Sequence, residues 1–233
     1  KLLPNVPPQL VMDGSTGGCC WLPDSTGFYF QALKGDPHDY RQHILFHDLA
    51  TGGQTLAGIP IPELDTQEDL PECVIALSPQ GRYLVVSQGI VAPRPIAIRD
   101  LHDPVSYWKP FITDVSGTVA GFVMNDRLIA FTDIGAPRGR VVAIPLEAKD
   151  PNDPANWLEL VPESEAVIRS ITPVGHSLYL TELVDTYSRI RITDMNGNAV
   201  GYVPLPGKGA VVEPNFHAGG LVPKGHPDEY LFA

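Results

Sequence analysis

The sequence predicts an all-β fold, a β-propeller of four-stranded antiparallel blades, and three observations support this prediction. An apolar hairpin pattern recurs along the 233 residues, a second landmark follows each turn at a nearly constant distance, and no segment has a convincing helical pattern. Repeated units of about fifty residues with four short strands each are typical of propeller blades. About five blades are expected in this chain. A β-sandwich with coincidental spacing is the alternative fold.

The clearest hairpin is Ile75–Gln88, where two apolar strands flank a tight turn at Ser78–Gly81. Weaker copies occur at Trp21–Phe30 and Ile171–Leu180. Five turns align, and they lie at Pro23, Pro79, Met124, Pro173 and Pro223. Because the Ser, Arg and Tyr of the clearest copy belong to a repeat, we interpret them as structural and not as a site.

An Asp-Leu pair, or a variant of it, follows each of the first four turns and ends a third strand. The pairs are Asp48-Leu49, Asp100-Leu101, Pro145-Leu146 and Asp194-Met195. The predicted third strands are Gln42–His47, Ile96–Arg99, Arg140–Ile144 and Ser188–Thr193. The predicted outer strands are Gln54–Ile59, Tyr107–Thr113, Trp157–Val161 and Ala199–Leu205. The outer strands carry more proline and charge, as edge strands should.

These landmarks divide the chain into a linker or edge strand at residues 1–16 and a propeller segment at 17–233. The predicted blades are 17–60, 72–114, 117–162, 166–206 and a partial blade at 210–233, whose strands are Glu213–Leu221 and Tyr230–Ala233. Because the fifth blade is partial, either the chain is an excerpt of a longer protein or its N-terminal strand completes the last sheet. An unclosed arc exposes apolar blade faces, and we therefore expect self-association or low stability.

Composition narrows the functional classes. The net charge is −11, and no cluster of Lys and Arg suggests nucleic-acid binding. No apolar run approaches the ~18 residues of a membrane span, and a cytoplasmic location is expected. Three cysteines that include an adjacent pair, Cys19, Cys20 and Cys73, do not form a disulfide framework. They are expected to be small buried residues in a reducing compartment.

No catalytic, cofactor-binding or metal-ligating residue is assigned from the sequence. None of the serines lies in the G-x-S-x-G context that a hydrolase nucleophile needs. Gly117–Gly121 lacks the other features of a phosphate loop. His43 and His47 share a strand face, but convergent zinc ligands are missing nearby, and Asp150–Asp153 does not follow a calcium-loop pattern.

Two loops are of more interest than the strands. Pro60–Glu72 and Gln88–Pro93 flank the inner pair of strands in the second blade, so they are expected near the mouth of a central channel. Rigid sheets hold such loops in place, and binding residues are frequent there. The carboxylates Glu68 and Asp69 lie in the first of these loops and are interpreted as solvated.

Three stretches carry a resemblance to a known family. They are Gly18–Phe30, Ala76–Ser87 and Asp153–Glu163, the last with an acidic-Pro connection into a Trp-bearing strand and a Val-Pro-Glu. In order and spacing the chain resembles the propeller domain of the prolyl oligopeptidase family of S9-type serine peptidases. That resemblance implies a seven-bladed propeller that caps a separate α/β-hydrolase domain, which follows in sequence and carries Ser, Asp and His.

The resemblance also implies substrate-lining residues at two places on the inner strands, one apolar and one basic. This sequence has Glu72 and the Gln88-Gly89 pair there, so no substrate contact is carried over. The main hypothesis is a non-catalytic propeller that gates access of short peptides to the hydrolase domain of the same polypeptide. A freestanding propeller that binds a protein or small ligand, and a metal-dependent, lactonase-like propeller hydrolase, are the alternatives.

Overall fold

The computed structural model describes residues 19–36, 39–59, 73–89, 91–103, 105, 107–211 and 228–229, with only the backbone described for 32–36 and 39–43. The predicted linker at 1–16, the predicted fifth-blade strands Glu213–Leu221 and Tyr230–Ala233, and the whole loop Pro60–Glu72 lie outside these residues.

Within the described ranges, sixteen strands form four sheets of four strands each. The first sheet contains β1 (Cys19–Trp21), β2 (Gly27–Asp36), β3 (Asp39–Asp48) and β4 (Gln54–Leu56). The second contains β5 (Cys73–Leu77), β6 (Tyr83–Gln88), β7 (Arg94–Asp100) and β8 (Lys109–Pro110). The third contains β9 (Val119–Met124), β10 (Arg127–Thr132), β11 (Arg140–Pro145) and β12 (Leu158–Val161). The fourth contains β13 (Val167–Val174), β14 (Ser177–Val184), β15 (Tyr187–Asp194) and β16 (Ala199–Tyr202).

Every sheet is an antiparallel meander, because its strands pair in the order in which they occur along the chain. In the clearest hairpin, Ile75 of β5 lies opposite Val86 of β6, and Leu77 lies opposite Leu84. Four separate four-stranded sheets confirm the predicted all-β propeller fold. A sandwich, which packs its strands into two sheets, is excluded.

The outer strands are shorter than the sequence predicted. The outer strand of the second sheet was expected over Tyr107–Thr113, but β8 contains only Lys109 and Pro110. Proline has no backbone N–H, so Pro110 cannot continue the donor side of a ladder. Trp108, just before this strand, is buried instead, and its indole Nε1 donates to the carbonyl oxygen of Ala57 at 2.9 Å.

The chain divides into two compact units, of which one holds the first two sheets and the other holds the last two together with Ile90–Pro95. The core of the first unit lies between its two sheets. Cys20, Tyr29, Ile44, Cys73, Ile75, Leu84, Val86, Ile96, Ala97 and Trp108 form this core. The guanidinium of Arg99 in β7 donates to the Tyr29 hydroxyl of β2 at 2.7 Å, so a polar contact also joins the two sheets.

The core of the second unit lies between the third and fourth sheets. Ile129, Val141, Ala143, Leu160, Val161, Ile168, Ile171, Leu178 and Leu180 form it. Close backbone approach requires glycine at Gly197, which follows β15 with φ of +87°. A Cβ there would collide with the carbonyl oxygen of Leu160, so only the hydrogen atom of a glycine fits between the two backbones.

The connection into β12 contains a 3₁₀ turn, Pro154–Asn156. Asp153 caps this turn, since its carboxylate accepts from the Ala155 N–H at 3.0 Å. Trp157 follows and is buried, with its indole N–H donating to Pro151 O at 2.9 Å. Across the described ranges, no helix is both long enough and apolar enough to traverse a membrane.

Candidate functional site

Each sheet has two ends that differ in their connections. The turn end carries the turns between first and second strands and between third and fourth strands. The loop end carries the loops between second and third strands and the connections between successive sheets. The two ends have different chemistry, and this difference locates the candidate site.

The turn end of the second sheet is a structural scaffold. The Ser78 hydroxyl accepts from the Tyr83 N–H at 2.9 Å. Arg82 clasps Asp100 with its Nε, 3.1 Å from both carboxylate oxygens, and with Nη2, 2.6 Å from Oδ2. The hydrogen bond from Arg82 lowers the pKa of Asp100 below its usual range. The polar side chains of the repeated hairpin therefore stabilise their own turn.

The Asp of the Asp-Leu landmark closes the turn into the outer strand. The Asp48 carboxylate accepts from the Thr51 N–H at 2.8 Å, and that of Asp194 accepts from the Asn198 N–H at 2.9 Å. These bonds lower the pKa of both carboxyls, chiefly through the Thr51 amide for Asp48 and the Asn198 side chain for Asp194. Each Asp is thus a turn residue of the kind that aspartate favours.

The Leu of the landmark ties the two turns together. Its backbone N–H donates to a carbonyl of the first turn in three of the four sheets. The bonded pairs are Leu49 with Thr26 at 3.0 Å, Leu101 with Arg82 at 2.8 Å, and Leu146 with Asp126 at 3.0 Å. This hydrogen bond explains the fixed spacing between the two landmarks. The polar groups of the turn end therefore stabilise the sheet itself, and the candidate binding site is at the loop end.

At the loop end of the second sheet, the predicted loop Gln88–Pro93 is held firmly at its far side. Arg94 donates from Nη1 to the carbonyl of Val115 at 2.8 Å, and the Val119 N–H donates to Pro93 O at 2.8 Å. Val91, two residues before Pro93, is 93% exposed. The loop therefore presents an apolar side chain close to its anchored end.

In the second unit, two more segments meet at the loop end. Asp133, after β10, accepts from the Thr118 N–H at 2.7 Å, and Glu163 accepts from the Arg138 N–H at 2.7 Å. A shallow cavity of about 630 Å³ lies between these segments, lined by Pro137, Arg138, Glu163, Ser164 and Glu165. Its rim carries both signs of charge.

Arg169 lies on the first strand of the fourth sheet and follows Ile168, whose backbone N–H donates to the carbonyl oxygen of Arg138 at 2.9 Å. A register shift between Ile168 and Ser170 makes it the extra residue of a β-bulge. Its two neighbours are buried and Arg169 is exposed. Sequence analysis missed this residue, because a bulge has no residue-type signature here.

A second feature missed from the sequence is a buried carboxylate in β14. Glu182 is 0% exposed and shares its strand face with the core residues Leu178 and Leu180. Its Oε2 accepts from Arg189 Nε and Nη2 at 2.9 and 2.6 Å, and its Oε1 lies 2.7 Å from Arg191 Nη2. Arg189 and Arg191 form an Arg-x-Arg pattern on β15, which follows β14 after the Asp185-Thr186 turn. This pattern was the sequence signal that could have revealed the buried carboxylate.

The prediction that the cysteines are buried is confirmed for two of the three residues. Burial raises the pKa of Cys20 to about 11 and that of Cys73 to about 12, so both are protonated thiols near neutral pH. For Cys19 the prediction was wrong, since this residue is exposed. Strand alternation explains the difference, because Cys19 and Trp21 face one side of β1 and Cys20 faces the core.

The histidines do not gather in the part of the chain that the structure describes. His47 is 7% exposed, with its ring centroid 5.0 Å from that of Phe28. His38 and the side chain of His43 lie outside the described residues. Within the described residues, no three His, Cys, Asp or Glu side chains converge on a position where a metal could bind.

Comparison with known proteins places these features in a family. The family profile described as prolyl oligopeptidase, N-terminal beta-propeller domain, matches residues 5–218. A prolyl endopeptidase, studied for inter-domain dynamics in catalysis and specificity, is 28% identical with a TM-score of 0.67. The match covers 86% of this chain and 30% of that one.

Prolyl oligopeptidase B from Galerina marginata shows the same fold at lower identity. Its S577A mutant, bound to a 35-residue substrate of hydrolysis and macrocyclization, is 14% identical with a TM-score of 0.67, covering 86% of this chain and 28% of the other. Its D661A mutant, bound to a 25-residue macrocyclization substrate, is 14% identical with a TM-score of 0.68, covering 84% and 28%. No curated protein sequence matches the chain.

The chain thus spans less than a third of the length of these solved relatives, within the region that the family profile describes as a propeller. Its four-stranded meanders agree with that description. By this match, which extends over most of its length, the chain belongs to the prolyl oligopeptidase family, in its N-terminal β-propeller domain.

Proposed function

We propose that this chain is the non-catalytic propeller part of a serine peptidase that acts on short peptides. In this proposal, the propeller restricts access of oligopeptides to a separate α/β-hydrolase domain of the same polypeptide. The single observation that carries the proposal is the prolyl endopeptidase match, at 28% identity over 86% of this chain but only 30% of that one. The remainder of such a protein has room for a catalytic domain.

The geometry of the loop end supports a gating role. The anchors of Arg94 and Pro93 fix the β6–β7 loop, and the carboxylates of Asp133 and Glu163 fix the next two segments. Loops held on rigid sheets can select ligands by size and charge without large motions. The side chains of the turn end, by contrast, are occupied in their own hydrogen bonds.

The proposal extends to the organisation and location of the protein. We place the propeller segment at residues 17–233, with the hydrolase domain and the oligopeptide as its partners. The two buried thiols, Cys20 and Cys73, support a reducing, cytoplasmic location.

Peptidase assays on two proteins test the proposal. The 233-residue chain is expected to leave a fluorogenic prolyl peptide intact, because a propeller alone supplies no activated nucleophile. A polypeptide extended downstream along the reading frame is expected to contain G-x-S-x-G and to cleave the peptide. Replacing the serine of that motif by alanine in the longer protein is the control and should abolish cleavage.

Two outcomes would contradict the proposal. Cleavage by the 233-residue chain alone would place the catalytic groups within it. An extended reading frame that encodes no hydrolase domain would favour a freestanding binding propeller instead.

A further inference from the structure

The first strand of each of the four sheets contains few or no charged residues. They are β1 with Cys-Cys-Trp, β5 with Cys-Val-Ile-Ala-Leu, β9 with Val-Ala-Gly-Phe-Val-Met and β13 with Val-Ile-Arg-Ser-Ile-Thr-Pro-Val. Arg169 is the one charged side chain in these four strands. In a propeller, the first strand of a blade borders the central channel. Arg169 is therefore a charged residue on the strand of its own sheet that is expected to border a channel.

The backbone register leaves Arg169 unpaired and exposed. Ile168 lies opposite Glu182 and Ser170 lies opposite Thr181, so Arg169 has no partner residue across the ladder. The Ile168 N–H donates to Arg138 O at 2.9 Å, which fixes the bulge against the neighbouring loop. A bulge of this kind can aim a side chain in a direction that regular alternation does not allow.

Two carboxylates of the same unit, Glu163 and Glu182, are committed to other groups. Glu163 binds the backbone N–H of Arg138 at 2.7 Å. Glu182 is ion-paired with Arg189 and Arg191. Within the described residues, no hydrogen bond or ion pair engages the guanidinium of Arg169. Its charge is therefore available to a ligand.

We propose that Arg169 recognises a carboxylate of the oligopeptide that the propeller admits, an inference that rests on the proposed function. The planar guanidinium can donate two parallel hydrogen bonds to a carboxylate, which an ammonium or amide group cannot match. The carboxylate can come from the peptide C-terminus or from an Asp or Glu side chain. Peptides that lack both would enter without this contact.

Peptide binding to the 233-residue chain tests the inference directly, with fluorescence anisotropy of N-terminally labelled pentapeptides of alanine and proline. One probe has a free C-terminus, a second is amidated, and a third is amidated but contains one glutamate. For the probe whose carboxylate binds, Arg169→Gln should raise Kd about five- to tenfold, as for one partly solvated charge-assisted contact. Arg169→Lys should recover only part of the affinity.

Arg127→Gln is the matched control, because Arg127 begins β10 at the turn end. It removes the same charge from the same unit and should leave Kd unchanged, whereas general attraction by net charge would weaken binding in both variants. Preference for the free over the amidated probe identifies the C-terminus as the ligand. Preference for the glutamate probe over the amidated one identifies the side chain.

The two proposals fail in different ways. If all three probes bind equally well and Arg169→Gln changes nothing, the inference is wrong and peptide admission stands. If no probe binds, peptide admission by this propeller is wrong, and the role of Arg169 falls with it.

Discussion

Replacing the buried carboxylate of Glu182 by an amide is the most sensitive test of how the second unit is held together. Glu182→Gln keeps the size and one carbonyl oxygen of the side chain but removes its charge. The carboxylate has no exposed surface and is contacted by two guanidinium groups. After the substitution, Arg189 and Arg191 face each other across an uncharged amide.

The magnitude follows from the exposure of the three groups. Removing one partner from a fully buried ion pair costs about 3–5 kcal/mol, because the other charge stays buried without compensation. Here the Arg189 side chain is 36% exposed and that of Arg191 is 18% exposed, so water screens part of their charge. We therefore expect the free energy of unfolding to fall by about 2–4 kcal/mol.

Glu159→Gln is the control for this prediction. Glu159 pairs with Arg140 at 3.2 Å in the same unit, but its side chain is 44% exposed. Loss of an exposed ion pair should cost only about 0–1 kcal/mol. Urea unfolding of both variants and the parent, followed by circular dichroism, compares the three proteins at one pH.

An apolar replacement separates charge from packing. Changing Glu182, Arg189 and Arg191 together to leucine removes every charge of the cluster, so much of the lost stability should return. If Glu182→Gln were as stable as Glu159→Gln, the reasoning would be refuted, because the buried charge would then contribute no more than the exposed one.

Two further predictions concern the thiols and one glycine. Burial of Cys73, whose pKa is about 12, should make its alkylation by iodoacetamide at pH 8 far slower than that of exposed Cys19, as mass spectrometry of the native chain can measure. Equal labelling of both thiols at pH 8 would contradict the prediction. Because the folded-state pKa of Cys73 is raised, the stability that its protonated thiol contributes is complete below pH ~9 and is lost as the pH rises towards 12. Gly197→Ala should destabilise the chain by more than about 2 kcal/mol, since φ is +87° and the new Cβ would meet the Leu160 carbonyl. Gly207→Ala, at a position with open space around it, should be nearly neutral in the same urea titration.

The sequence was most informative where the interacting residues are close together along the chain. Asp48 and Thr51 form their turn within four residues, in the short segment between the predicted third strand Gln42–His47 and the predicted outer strand Gln54–Ile59. The location of the β6–β7 loop was also predicted, but its anchor was not. Arg94 reaches Val115, 21 residues away, and that distance is bridged only when the connection folds back.

The limits of prediction are clearest in the fourth sheet. Glu182 was not recognised as buried, because a glutamate in an apolar strand ordinarily faces water and its arginine partners lie on the following strand. Arg169 was not recognised either, since its exposure depends on a bulge that shifts the alternation of β13. In both cases a side chain depends on strand register, which residue types alone do not determine.

The hydrogen bond between the two turns of a sheet has a consequence for how the chain acquires its structure. The backbone N–H groups of Leu49, Leu101 and Leu146 each donate to a carbonyl of the same sheet. Every sheet is completed within fewer than about fifty residues. Backbone pairing therefore has low contact order, although the fold is entirely β. A chain of this kind can assemble its sheets in succession as it leaves the ribosome, and the docking of one finished sheet on the next then becomes the slow event.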